Sequence, residues 1–100
     1  MTNTLVVYVE RSLDKVIEIL SGFDVEYLDI HIVDYFDFNL VKRKNKTYVL
    51  ISASEILCTE WERVGGKAIK YSTERVEKYQ GLVFKQNDSA EKLRRLLNIY

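Results

Sequence analysis

The residues best suited to metal or acid–base chemistry lie in one acidic segment around the only histidine. Asp29, His31, Asp34 and Asp37 fall within nine residues, and imidazole and carboxylate groups are common ligands of transition metals. The surrounding residues alternate as in a β-strand, where Asp29 and His31 share a face and Asp34 lies on the other. A regular strand cannot bring all four side chains to one ion. We therefore interpret His31 as a surface histidine and expect no metal site.

Nucleophilic and phosphate-binding chemistry has less support. The single Cys58 cannot form an internal disulfide, and it lies near Trp61 in a predicted helix, where a partly buried thiol is inert. Gly65 and Gly66 follow that helix, whereas the glycines of a phosphate-binding loop precede one. The sequence predicts a protein that is not an enzyme and needs no cofactor. A small hydrolase or metal-dependent enzyme is the third hypothesis.

Composition predicts a single domain over residues 1–100. Hydrophobic residues make up 47% and charged residues 30% of the chain, which is typical of a globular protein. Fifteen basic residues balance fifteen acidic ones, so any binding to nucleic acid must come from a local patch. The N-terminus has no basic segment followed by a long apolar one, so we expect no signal peptide. No apolar run approaches the roughly 18 residues of a membrane span, and we expect an intracellular protein with no membrane partner.

The polar residues favour a thermophilic source. Asp, Glu, Lys and Arg together outnumber Asn, Gln, Ser and Thr, a bias found in proteins of hyperthermophiles. The absence of proline argues against it, because such proteins often stiffen their loops with proline. Small accessory proteins of this kind are common in viruses and mobile elements, and we keep that origin as an expectation by association.

Two continuous apolar runs, at residues 5–9 and 46–53, predict strands that are buried on both faces and therefore central. Residues 25–38 alternate instead, with Leu28, Ile30 and Ile32 at one parity, which predicts a half-exposed edge strand. A basic turn around Lys44 would join this edge strand to the third strand as an antiparallel hairpin.

Helices are predicted where apolar residues recur at helical spacing. Leu13, Val16, Ile17 and Leu20 form one apolar face behind Ser12, a candidate N-cap. Capping-box patterns at residues 52–55 and 88–91 predict the starts of two more helices. A short polar helix over 72–79 and short strands at 67–71 and 82–84 complete the assignment.

The order strand, helix, strand, strand, helix, strand through residue 71 is that of a ferredoxin-like domain. We therefore predict an α+β protein with a ferredoxin-like βαββαβ core over residues ~4–71. The remaining residues would form a C-terminal helical extension.

The two central strands carry tyrosines on one predicted sheet face. The segment Val7-Tyr8-Val9 resembles the aromatic-centred first strand of the RNA-recognition motif family. Residues 46–51 resemble its third-strand motif, with Thr47 where the family has glycine and Leu50 in place of an aromatic residue. The resemblance covers about two-thirds of the chain, through residue 71. It implies that Tyr8 and Tyr48 stack on bases. The implied phosphate contacts are four basic residues: Lys42, Arg43, Lys44 and Lys46.

The leading functional hypothesis follows from the apolar residues on both faces of the central strands. One face would pack on helices, and the face with Tyr8, Tyr48 and Leu50 needs a second cover, either the C-terminal helix or another subunit. We therefore expect a small non-catalytic interaction protein that binds another macromolecule and forms a homodimer. The alternative is a single-stranded nucleic-acid (RNA) binding protein that uses the tyrosine face and the basic hairpin.

Overall fold

A five-stranded sheet, parallel at every strand pair, forms the centre of the protein. The computed structural model describes residues 4–35 and 46–99. The strands are β1 (Thr4–Glu10), β2 (Leu28–Val33), β3 (Lys46–Ser52), β4 (Lys67–Ser72) and β5 (Leu82–Lys85). The helices are α1 (Asp14–Ser21), α2 (Glu55–Arg63) and α3 (Ala90–Leu96). Within the described ranges no helix is both long and apolar enough to cross a membrane.

The predicted ferredoxin-like core is wrong, because that core has an antiparallel sheet. The strand order is β2-β1-β3-β4-β5, which is one of the common orders of doubly wound parallel sheets. β2 was expected to pair with β3, but it pairs with β1, in parallel, on the side away from β3. α1 makes this possible, because a helical crossover carries the chain back to the end of the sheet where β1 began, so that β2 can run parallel to β1. The predicted hairpin turn around Lys44 lies outside the described residues.

The prediction that the first and third strands are central is confirmed. β1 lies between β2 and β3, and Val7 pairs with Val49 in the register of the two central strands. Both valine side chains are fully buried. Such strands carry apolar residues at consecutive positions because both faces of a parallel sheet are covered.

Helices cover the two faces of the sheet separately. One core lies under α1 and α3, and its sheet residues include Val7, Val9, Val49 and Ile51. The second core lies under α2, where Val6, Tyr48 and Leu50 pack against Cys58 and Trp61. The sequence correctly predicted which side chains of β1 and β3 lie on each face of the sheet. The expected cover of the tyrosine face was wrong, since α2 lies there and the C-terminal helix packs on the opposite side.

The helix starts differ in detail from the predicted caps. Ser12 does not cap α1, because its hydroxyl donates to Glu10 and the cap position is Leu13. Ser54 caps α2 by accepting from the Leu57 N–H, and Ser89 caps α3 in the same way. The polar helix predicted over 72–79 does not form; residues 73–81 are irregular.

Leu20 tests the packing of α1 on the sheet. Its side chain is fully buried in the first core. Leu20→Ala should therefore lower the free energy of unfolding by about 2 to 5 kcal/mol, because it removes buried methyl groups and leaves a cavity. The measurement is reversible urea denaturation. Glu18→Ala, exposed on the same helix, should change the same quantity by less than about 0.5 kcal/mol. Equal small losses for both variants would contradict the described packing.

Candidate functional site

An aromatic cluster lies on the α2 side of the sheet, where β1, β2 and β3 meet. The Tyr8 ring centroid lies 6.1 Å from that of Tyr48, 6.1 Å from that of Trp61 and 5.2 Å from that of His31. The parallel register produces this cluster, because Tyr8 is level with His31 on β2 and is flanked on β3 by Leu50. Three strands and one helix therefore converge on the Tyr8 ring.

The structure brings together the two tyrosines that the sequence proposed as binding residues. Tyr48 is only 5% exposed, and the Trp61 indole N–H donates to its carbonyl oxygen at 3.4 Å. A ring buried in this way offers no open face to a base. Tyr8 is half-buried, and Lys46 is exposed at the first position of β3. Lys42, Arg43 and Lys44 lie outside the described residues, so the basic patch stays a prediction.

His31 and Asp29 form a pair beside this cluster on β2. His31 Nε2 lies 2.9 Å from Asp29 Oδ2, and both side chains are about half exposed. Asp34, which the sequence grouped with them, instead accepts from Arg11 Nε at 2.9 Å. Within residues 4–35 and 46–99 no group of three or more His, Cys, Asp or Glu side chains could hold a metal ion.

β2 forms one edge of the sheet in the described part of the chain. The Leu5 N–H donates to the Tyr27 carbonyl at 2.8 Å, and the Arg11 N–H to the Val33 carbonyl at 3.0 Å. In a parallel pair, alternate residues bond to the same neighbour. The main-chain groups of Ile30 and Ile32 therefore point outward. They face no other strand in the described part of the chain.

Large apolar side chains accompany this edge. Ile32 is 41% exposed, and Tyr35, just beyond the strand, is 85% exposed. β5, at the other edge, has only four residues and ends in Lys85. Short length and a lysine are devices that discourage pairing at an edge. β2 has neither, so the two edges differ in their capacity to bind another strand.

The carboxyl ends of β1 and β3 hold a polar cluster that sequence reasoning missed. Glu10 Oε1 accepts from the Ser52 hydroxyl at 2.6 Å, and Oε2 accepts from the Ser12 hydroxyl at 2.8 Å. In doubly wound sheets, ligands usually bind just outside the carboxyl ends of the strands. Here both Glu10 oxygens are engaged within the chain. In the described ranges, no buried side-chain polar atom lacks a partner, so the cluster joins two loops and leaves no buried group for a ligand.

A nearly buried ion pair fastens the irregular segment to β4. Lys70 Nζ lies 2.6 Å from Glu77 Oε1, and the Ser72 hydroxyl donates to Glu77 Oε2 at 2.5 Å. The Tyr79 N–H also donates to Glu77 Oε1, at 3.1 Å. The bonds from Lys70, Ser72 and Tyr79, in that order, lower the pKa of Glu77 to about 2. This non-local set of contacts holds residues 73–81 against the sheet.

Cys58 agrees with the prediction of an inert thiol. The residue is buried in α2, and its Sγ lies 3.7 Å from the Ser52 carbonyl oxygen. Burial raises the pKa of the thiol to about 12. The group is therefore protonated at neutral pH, and a protonated thiol is a poor nucleophile.

Comparison with known proteins gives no relative for this chain: no family model, no curated protein and no solved structure matches it.

The contacts of Glu77 predict a stability that depends on acid pH. Its pKa in the folded protein, about 2, is below the usual 4.5. The resulting stabilisation is fully present above pH 4.5 and is lost as the pH falls towards 2. Glu77→Gln should lower the urea midpoint at pH 7, because it leaves the Lys70 ammonium without its counter-charge. The variant should also lose less stability than the unmodified protein between pH 4.5 and 2.5.

Glu74→Gln is the matched control, because Glu74 is exposed in the same irregular segment. Its urea midpoint should follow that of the unmodified protein at each pH. Identical pH profiles for Glu77→Gln and Glu74→Gln would contradict the described role of Glu77.

Proposed function

We propose that this protein is a non-catalytic interaction protein that binds another protein chain along the free edge of β2. The observation that carries the proposal is the outward backbone of Ile30 and Ile32, which meets no described strand. An incoming strand satisfies such groups and extends the sheet, a common mode of protein recognition. A homodimer is the simplest assembly of this kind, and two-fold dimers are the commonest soluble oligomers.

The sequence of β2 supports this role. β2 has no lysine, arginine, proline or glycine, which are among the residues that interrupt or block pairing at an edge. Asp29 is its one acidic residue. Ile32 and Tyr35 add exposed apolar surface next to the free backbone. Main-chain hydrogen bonds would supply affinity, and the side chains that alternate along the edge would supply specificity.

A non-catalytic role is supported by the state of the reactive groups. The Cys58 thiol is buried. Glu10 is engaged by two serine hydroxyls, and Glu77 is held by Lys70 and Ser72. Each of these contacts joins parts of the fold to one another. The intracellular setting and the thermophilic or viral source stay predictions from the sequence.

Single-stranded nucleic-acid binding is the alternative, and one observation favours it. Tyr8 and the exposed His31 lie side by side with ring centroids 5.2 Å apart, and aromatic side chains stack on bases. The RNA-recognition motif that suggested the activity has the ferredoxin-like order, which this sheet does not have. The burial of Tyr48 also removes one of the two proposed stacking rings.

Two lysine substitutions at opposite edges test the proposal. Ile32 on β2 and Leu82 on β5 are similar apolar edge residues, 41% and 39% exposed. The unmodified protein should form a species of twice 11.8 kDa with rising concentration. Ile32→Lys should weaken this assembly about tenfold or more, because it places charges in the contact. Leu82→Lys should leave it unchanged. The measurement is light scattering after size exclusion over a range of protein concentrations.

Two results would contradict the proposal. A monomer at every concentration, or equal effects of the two lysine variants, would overturn assembly through β2. Labelled single-stranded RNA and DNA, titrated at two salt concentrations, form the second part of the experiment. A monomer with salt-sensitive affinity that is lost in Tyr8→Ser would support the alternative instead.

A further inference from the structure

We infer that β2 pairs antiparallel with β2 of a second copy of this chain, about a two-fold axis through Ile30. The inference rests on the proposed function and adds the register and the side chains that select it. The two-fold axis would be perpendicular to the sheet. Both copies would then place α1 on the same side of one continuous sheet.

The outward backbone restricts the possible registers. Hydrogen bonding across the axis needs outward residues opposite outward residues, so Leu28, Ile30 and Ile32 must face members of the same set. Of these, Leu28 offers only its carbonyl oxygen, because its N–H already donates to the Val25 carbonyl at 3.2 Å. Three centred arrangements of β2 satisfy this condition near the middle of the strand, with the axis at Asp29, Ile30 or His31. Moving one strand by a single residue relative to the other would place an outward residue opposite one that is already bonded to β1, as Tyr27 and Val33 are.

The Asp29 and His31 side chains, which lie 2.9 Å apart within one chain, favour one of the three registers. With the axis at Ile30, each Asp29 lies opposite His31 of the second copy. With the axis at Asp29, the two aspartates face each other, and like charges directly opposite are destabilising. With the axis at His31, the two histidines face each other and each Asp29 meets an apolar Val33. Only the Ile30 register places the acid of each copy against the base of the other.

The apolar side chains agree with the same register. Leu28 and Ile30 are half-buried members of the α1-side core, and Ile32 is the exposed continuation of that row. About an axis at Ile30, Leu28 meets Ile32 of the second copy, and Ile30 meets its own equivalent. The five-residue pattern apolar, acid, apolar, base, apolar is thus complementary to itself when the strand is reversed.

Cysteine cross-linking tests the register. In a Cys58→Ala background, Ile30→Cys would place the two introduced cysteines directly opposite, with Cα atoms about 5.5 Å apart, which is within the reach of a disulfide. Ile32→Cys is the matched control, because four residues of offset separate it from its equivalent by about 13 Å. Asp29→Cys and His31→Cys report the two competing registers. All four variants are oxidised mildly and compared on a non-reducing gel.

We expect a cross-linked dimer from Ile30→Cys well above the yield of the other three variants. A dimeric mass without an excess of cross-linked Ile30→Cys over the other variants overturns the register and leaves the proposed function standing. A monomeric mass overturns both.

Charge exchange gives a second readout that does not depend on cysteine. Asp29→Lys should weaken the dimer about tenfold, because it removes the carboxylate that would contact the imidazole of the second copy at two places across the axis. The exchanged double variant Asp29→His/His31→Asp should restore the dimer, since each position still faces the other. Failure of the exchange to restore the dimer, with circular dichroism showing a folded chain, also overturns the register.

Discussion

Parallel pairing of β1 with β3 brings the two most apolar segments of the chain side by side, and the position of every helix follows from covering them. Val7 and Val49 are fully buried on one face, and Val6 and Leu50 on the other. A sheet that is apolar on both faces in this way must be covered on both. α1 and α3 cover the first face, and α2 covers the second, with Trp61 against Tyr48.

The same pairing leaves the sheet with two unequal edges. β5 is short and carries Lys85, whereas β2 has six residues, and the main-chain groups of Ile30 and Ile32 point outward from it. Because helices cover the faces, the main-chain groups that meet no other described strand lie at the two edges of the sheet. The function we propose therefore depends on β2 and not on the tyrosine face, which α2 already closes.

The sequence was sufficient for most elements and insufficient for their pairing. The apolar runs predicted β1 and β3 and their central positions, and the face of α1 was predicted from Leu13, Val16 and Leu20, all of which are buried. The partner of β2 was wrong, because the same element order allows β2 to pair with β3 through a hairpin or with β1 through α1. Local pattern does not distinguish the two, since either edge position buries Leu28 and Ile30 and exposes Asp29.

Specific side-chain hydrogen bonds explain the other wrong predictions. The helix predicted over 72–79 is replaced by an irregular segment because Glu77 reaches back to Lys70 and Ser72 on β4. Ser12 and Ser52 resemble helix caps in sequence, yet both hydroxyls donate to Glu10. In each case a specific side-chain partner, only two to seven residues away except in the Ser52–Glu10 pair, outweighs the local helical preference. The sequence does not predict that Glu10 and Glu77 bind these serines, because an acidic residue near a serine is equally compatible with a helix cap.

Hydrogen exchange of the β2 amides is the sharpest test of strand pairing at this edge, because it observes the outward backbone itself. The Ile30 and Ile32 amides point away from β1, whereas the His31 amide points towards it and serves as the internal reference. Exchange rates are measured by NMR at low and high protein concentration. We expect Ile30 and Ile32 to become protected as concentration rises, while His31 is protected throughout. Rapid exchange of Ile30 and Ile32 at every concentration, with His31 protected, would contradict strand pairing at this edge.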